Sequence, residues 1–212
     1  MSALYRLKNF HLIQKLHIAN AVFGLLTLIL LIATARLIKV FISNGSASAG
    51  FGNYNLFSYP ATYVYMLIPV ICSFIYSIIL AADPSPQYAG WKPSKTLIGS
   101  MICFVFTLFL AALLPAVPGA DVILTPDSAL SCTWVDFMSW RTIFNAPDLY
   151  PWVTTMDTAC QCLRAADAFT WILMIFWMLL VISYIRVAKH APPIVLTEKG
   201  SIDSDTKTQV VA

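Results

Sequence analysis

Apolar residues in this chain gather into four long blocks, at about residues 19–42, 61–82, 97–117 and 168–185. A bilayer core of about 30 Å is crossed by roughly 20 apolar residues wound as a helix. Each block meets that length. None alternates with the period of two expected of a barrel strand, and backbone hydrogen bonding in lipid otherwise requires helices. The pattern predicts an all-α membrane protein: a four-helix bundle over residues 19–188, preceded by a terminal segment at 1–18 and followed by a polar, disordered tail at 189–212. The connections differ in character. Residues 43–60 are rich in Gly, Ser and Asn and read as an irregular loop, whereas 83–95 holds three prolines and reads as a short, stiff link. Residues 118–164 form the one connection long enough for structure of its own.

Composition agrees with the pattern. The chain is 59% apolar and 11% charged, with a mean hydropathy of +0.76, against about 25% charged in a soluble domain. A net charge of +3 gives no basis for nucleic-acid binding. Where the 13 basic residues stand matters more. Arg6, Lys8, Lys15, Lys92, Lys95, Arg186, Lys189, Lys199 and Lys207 fall on one side of the four spans, and Arg36, Lys39, Arg141 and Arg164 on the other. The richer side is the cytoplasmic one, so both termini are expected there and the long second loop outside. A cleavable signal is the competing reading of the first block, because Ala33–Ala35 resembles a cleavage site, but its apolar core exceeds a signal h-region.

Five cysteines divide by position. Cys72 and Cys103 lie within spans and read as small apolar side chains. Cys132, Cys160 and Cys162 lie in the long outer loop, where an oxidising compartment favours a disulfide, either Cys132–Cys160 or Cys132–Cys162. A metal site at the C-x-C pair is disfavoured, because His11, His17 and His190 all fall on the opposite side and zinc wants about four ligands. No metal or other cofactor is expected. His11 and His17 precede the first span without an acid nearby and read as interfacial side chains. With no intramembrane acid–base pair in view, an enzyme is not expected. Asp83 and Asp167 stand at span ends and Asn20 near the inner interface, an arrangement that argues against an ion-coupled transporter.

Three weaker signals complete the reading. Ser73 with Ser77 and Gly99 with Cys103 have the four-residue spacing of close-packing helix faces, and Pro69 predicts a kink in the second span. Asn44-Gly45-Ser46 is a glycosylation sequon, with Asn44 as acceptor or as an unmodified turn. In the long loop, Trp134, Phe137, Trp140 and Phe144 share one helical face on which Arg141 intrudes. That segment reads either as an amphipathic helix on the outer leaflet or as a disulfide-tied loop packing its own aromatic rings.

The entry to the fourth block, Cys160 followed by Arg164, Ala165, Ala166, Asp167, Ala168, Phe169 and Trp171, resembles the MARVEL-domain family of four-span membrane proteins, and most closely its fungal members. Cys132 matches that group's upstream outer-loop cysteine, while Cys162 and the Trp-rich loop depart from its pattern. The resemblance covers roughly residues 10–190. It implies a non-enzymatic protein that organises membrane domains, membrane apposition or vesicle traffic, in contact with lipids such as sterol- and sphingolipid-rich domains and with other membrane proteins or further copies of itself. Plasma membrane is the expected location, and an oligomeric channel, a transporter or an accessory subunit is the alternative. Within the motif, Arg164 is expected at headgroup level. Asp167 is expected to meet Arg164 and the positive start of helix four, or to pair with Arg36 or Lys39 on helix one.

Overall fold

The computed structural model describes residues 2–48, 50, 61–83, 91–120, 128–133 and 135–190, the side chains of 2–11, 135–137 and 190 excepted. All regular structure among them is helical: α1 (Ser2–Ser48), α2 (Ala61–Ala82), α3 (Lys95–Leu113), a short α4 (Val135–Ile143) and α5 (Thr154–His190). Four of these, α1, α2, α3 and α5, are long and apolar enough to cross a membrane. The chain therefore has the composition and helices of a multi-pass integral membrane protein.

The helices follow the apolar blocks but do not stop with them. At 1.5 Å per residue the 47 residues of α1 reach about 70 Å and the 37 residues of α5 about 55 Å, well past a core of about 30 Å. Residues 43–48, expected to begin an irregular loop, continue α1. Residues 154–164, expected in the loop, already belong to α5. Polar residues end a membrane span without ending a helix when no Pro or capping group intervenes. By contrast α3 starts where its sequence directs, with Ser94 as N-cap accepting from the Leu97 N–H at 3.1 Å. It ends in a 3-10 turn at Leu114–Ala116, where Pro115 stands. α2 continues through the buried Pro69.

Neighbouring long helices run antiparallel and close a ring in which α1 packs on α2 and α5, and α3 packs on the same two. The direction is read from cross-helix pairs: His17 with Tyr184, Phe41 with Trp152, Tyr63 with the Leu31 carbonyl, and Phe104 with Trp177. The beginning of α1 thus lies beside the end of α5, at what is here termed the open end. The opposite, capped end carries α4 and the turns around it.

Along α1 the buried positions are Ile13, His17, Asn20, Gly24, Thr27, Leu31, Thr34, Ile38, Phe41 and Gly45, stepping alternately by four and three residues. That is the 3.5-residue repeat of a helix seam packed on its neighbours. Six of the nine positions from His17 onward are polar or glycine, while Ile18, Val22, Leu25, Ile29 and Ile32 face outward and are exposed. With lipid outside, apolar side chains gain nothing by turning inward, and small or hydrogen-bonding residues mark the packed face instead. Gly24 shows why: a Cβ there would come within 3.3 Å of the Phe74 Cβ. Of the small-residue pairs expected at interfaces, Ser73 and Ser77 are fully buried. Gly99 instead has open space where a Cβ would stand, and Cys103 is exposed. The pair on α3 lies off the packed face because α3 meets its neighbours through Met101, Phe104 and Leu108.

Candidate functional site

Two groupings of chemically distinctive side chains stand out, one at each end of the bundle. At the capped end Cys132 and Cys160 form a disulfide with Cα atoms 6.0 Å apart, and Cys162 remains a free thiol. Of the two pairings open from sequence, this is the one formed. Cys132 sits at the end of a 3-10 turn in the left-handed region, with φ of 63°, a conformation that costs a non-glycine residue energy and is held here by the bridge and its surroundings. Arg164 also ties the turn down, its Nε donating to the Leu130 carbonyl at 2.8 Å.

Beside the bridge the aromatic residues pack on one another and on α1. Trp140 of α4 stacks on Phe41 at 5.2 Å between centroids, and Trp152 meets both rings edge-on. Phe144 and Tyr150 extend the cluster through Trp152. Residues 135–143 are helical, as the first reading of 132–144 has it, while Trp140 packs on Phe41 and Trp152, as the second has its rings packed; Trp134 and the Phe137 side chain lie outside the described residues. Gly45 has its place here, because any Cβ would collide with the Trp140 indole. Asn44 is exposed, but its sequon is helical and its glycine lies under that indole. Arg141, rather than intruding on the packed face, is exposed and pairs with Asp157 at 3.4 Å.

The helix-five entry motif does not form the ion pairs expected of it. Asp167 is buried, yet it stands 13 residues beyond Thr154 and so is removed from the positive start of the helix. Arg36 and Lys39 are exposed on α1, and Arg164 is engaged with Leu130. The Asp167 Oδ1 has no hydrogen-bond partner among the described residues, and the side chain is met by Trp171 one turn on. Phe169 and Trp171 are packing residues, edge-on to Phe23 and Phe109 at 5.6 and 5.8 Å.

At the open end lies the grouping that the sequence reading missed. Trp177 is fully buried and touches every helix of the ring: it stacks on Phe104 of α3 and Tyr76 of α2, and its indole N–H donates to Ser73 Oγ at 2.7 Å. The His17 ring meets it edge-on from α1 at 6.0 Å. His17 Nε2 in turn hydrogen-bonds the Tyr184 hydroxyl at 3.0 Å. The Tyr76 hydroxyl bonds Ser100 Oγ at 2.9 Å, and Trp91 covers Tyr184 edge-on. His17 was expected at the interface before the first span, and Asn20 near the inner interface. Both are instead fully buried, because α1 begins at Ser2 and carries them onto its packed seam. His17 Nδ1, both Asn20 amide atoms and Ser77 Oγ have no partner among the described residues. The signal that would have located them is the four-and-three spacing of polar residues through an apolar run.

The two groupings can do different chemistry. The capped end offers a covalent tie and one free thiol; the open end offers fully buried hydrogen-bond donors and acceptors beside the rings of Trp177 and Tyr184. Among the described residues no three His, Cys, Asp or Glu side chains come together as metal ligands. Compared with protein-family models, with curated proteins and with solved structures, the chain finds no match.

Proposed function

We propose that the protein is a non-enzymatic membrane organiser, acting through lateral contacts in the plasma membrane to arrange membrane domains, membrane apposition or vesicle traffic, as its resemblance to MARVEL-domain proteins implies. The observation that carries this reading is the division of its side chains. Polar groups turn inward and tie helix to helix, as His17 does to Tyr184 and Trp177 to Ser73, while Ile32, Ile68 and Phe106 and their neighbours leave an apolar exterior. Such a body meets its surroundings through lipid and through the apolar faces of other membrane proteins or of further copies. The test is imaging of the tagged chain together with lipid-domain and vesicle markers, with and without the gene. Patches that reorganise the markers support the role; a uniform membrane distribution with unchanged markers on deletion refutes it.

A second reading, an oligomeric channel or transporter, is favoured by one observation: His17 and Asp167 are two titratable groups buried within the bundle. Purified protein in liposomes should then carry protons or small solutes, and absence of flux above protein-free vesicles removes this reading.

A further inference from the structure

Three buried side chains at the open end leave four polar atoms without partners among the described residues: His17 Nδ1, Asn20 Oδ1, Asn20 Nδ2 and Ser77 Oγ. An amide or hydroxyl shut away from water without a hydrogen bond costs about 1–3 kcal/mol. The three residues fall within about one helical turn of one another along the bundle. Asn20 lies one turn from His17 on the same seam of α1, and the close approach of Gly24 to Phe74 sets residue 20 level with the turn containing Ser77. Ser77 in turn lies one turn beyond Ser73, the acceptor of the Trp177 indole against which His17 rests. All three residues are fully buried.

Their chemistry selects the guest. Asn20 presents a donor and an acceptor, and Ser77 presents a hydroxyl that is both. Nδ1 of His17 accepts if Nε2 donates to the Tyr184 hydroxyl, and donates if Tyr184 is the donor. A carbonyl satisfies only the donors of this set, and an ammonium only the acceptors. An ion brings a desolvation cost that amide, hydroxyl and imidazole do not offset. A hydroxyl both donates and accepts and is neutral. We propose that His17, Asn20 and Ser77 form a binding site inside the membrane for one hydroxyl group, supplied by a water molecule or by the alcohol head of a lipid. The site does not depend on the organiser role, and it gives the open end a ligand chemistry of its own.

The full chain in phosphatidylcholine nanodiscs tests this with two probes. For water, magnetisation transfer from bulk solvent to the nitrogen-labelled Asn20 amide and His17 ring is measured; for a lipid alcohol, a photoreactive long-chain alcohol is added and its attachment sites are mapped. Transfer to both side chains without labelling identifies water. Labelling concentrated on residues 17–24 and competed by unlabelled alcohol identifies the lipid head. In either case Asn20→Leu should weaken the signal about tenfold, the loss of one to two hydrogen bonds, and Ser77→Ala should weaken it where the Asn20 variant does not fold. Ser183→Ala, half-buried on α5 with its hydroxyl donating to the Leu179 carbonyl, should leave it unchanged. Neither transfer nor competed labelling at residues 17–24 in the wild-type chain overturns the proposal, as does a signal that survives both substitutions.

Discussion

Asp167 places a carboxyl group where the bundle brings no cation to meet it. It is buried, its Oδ1 has no partner among the described residues, and Arg36 and Lys39 face outward. Burying an unpaired carboxylate opposes folding, and replacing buried ionic groups by neutral ones of similar size is often stabilising by about 1–4 kcal/mol. Asp167→Asn keeps the shape and the hydrogen bond with Trp171, so it should leave the thermal midpoint in detergent unchanged or raise it. Asp148→Asn, on the exposed loop, should have no effect. A midpoint several degrees lower for Asp167→Asn alone would show that a cation reaches this carboxyl after all. Trp177 shows the opposite economy. It stacks on Phe104 and Tyr76 and meets His17 edge-on, and the bond to Ser73 contributes about 0.6 kcal/mol by the measure of interhelical bonds in membranes; its packing contributes the larger share.

Among the elements, α2 and α3 were legible almost to the residue, because prolines and a capping serine bound their apolar runs. α1 and α5 were legible only as spans. Hydropathy reports apolar runs, and both helices continue beyond theirs at the capped end, where Phe41 and Gly45 pack under Trp140 and Trp152. The inner site was illegible for the same reason. His17 and Asn20 lie near the edge of an apolar block, and only the seam of α1, read at 3.5 residues, carries them inside. The disulfide was legible as chemistry but not as pairing, since Cys160 and Cys162 share one helix, and only the packing of the turn at Ala129–Ser131 selects the former. Closing a loop across a separation of 28 residues contributes about 3–4 kcal/mol in the chain-entropy model. Cys132→Ser and Cys160→Ser should each lower the stability of the oxidised protein by that order and shift its mobility on a non-reducing gel. Cys162→Ser should do neither. Equal losses from all three would mean that the pairing exchanges.

For the molecule as a whole, the charge distribution sets an orientation that the antiparallel ring makes self-consistent. With nine basic residues on one side of the four spans in the sequence and four on the other, epitope tags on both termini should be detected only after the membrane is permeabilised. A tag accessible on intact cells would invert the protein and place the disulfide in a reducing compartment. The pairing of α1 with α5 also imposes an order in time. His17 waits for Tyr184, 167 residues later in the chain, and Thr34 for the Ala159 carbonyl, 125 residues later. During synthesis the first helix therefore enters the bilayer with its imidazole, amide and threonines facing lipid or the insertion machinery, and it becomes a settled part of the protein only when the last helix arrives. A chain that stops short of α5 lacks the Tyr184 hydroxyl and the Ala159 carbonyl, so the polar stripe of its first helix is left without the partners that the last helix supplies.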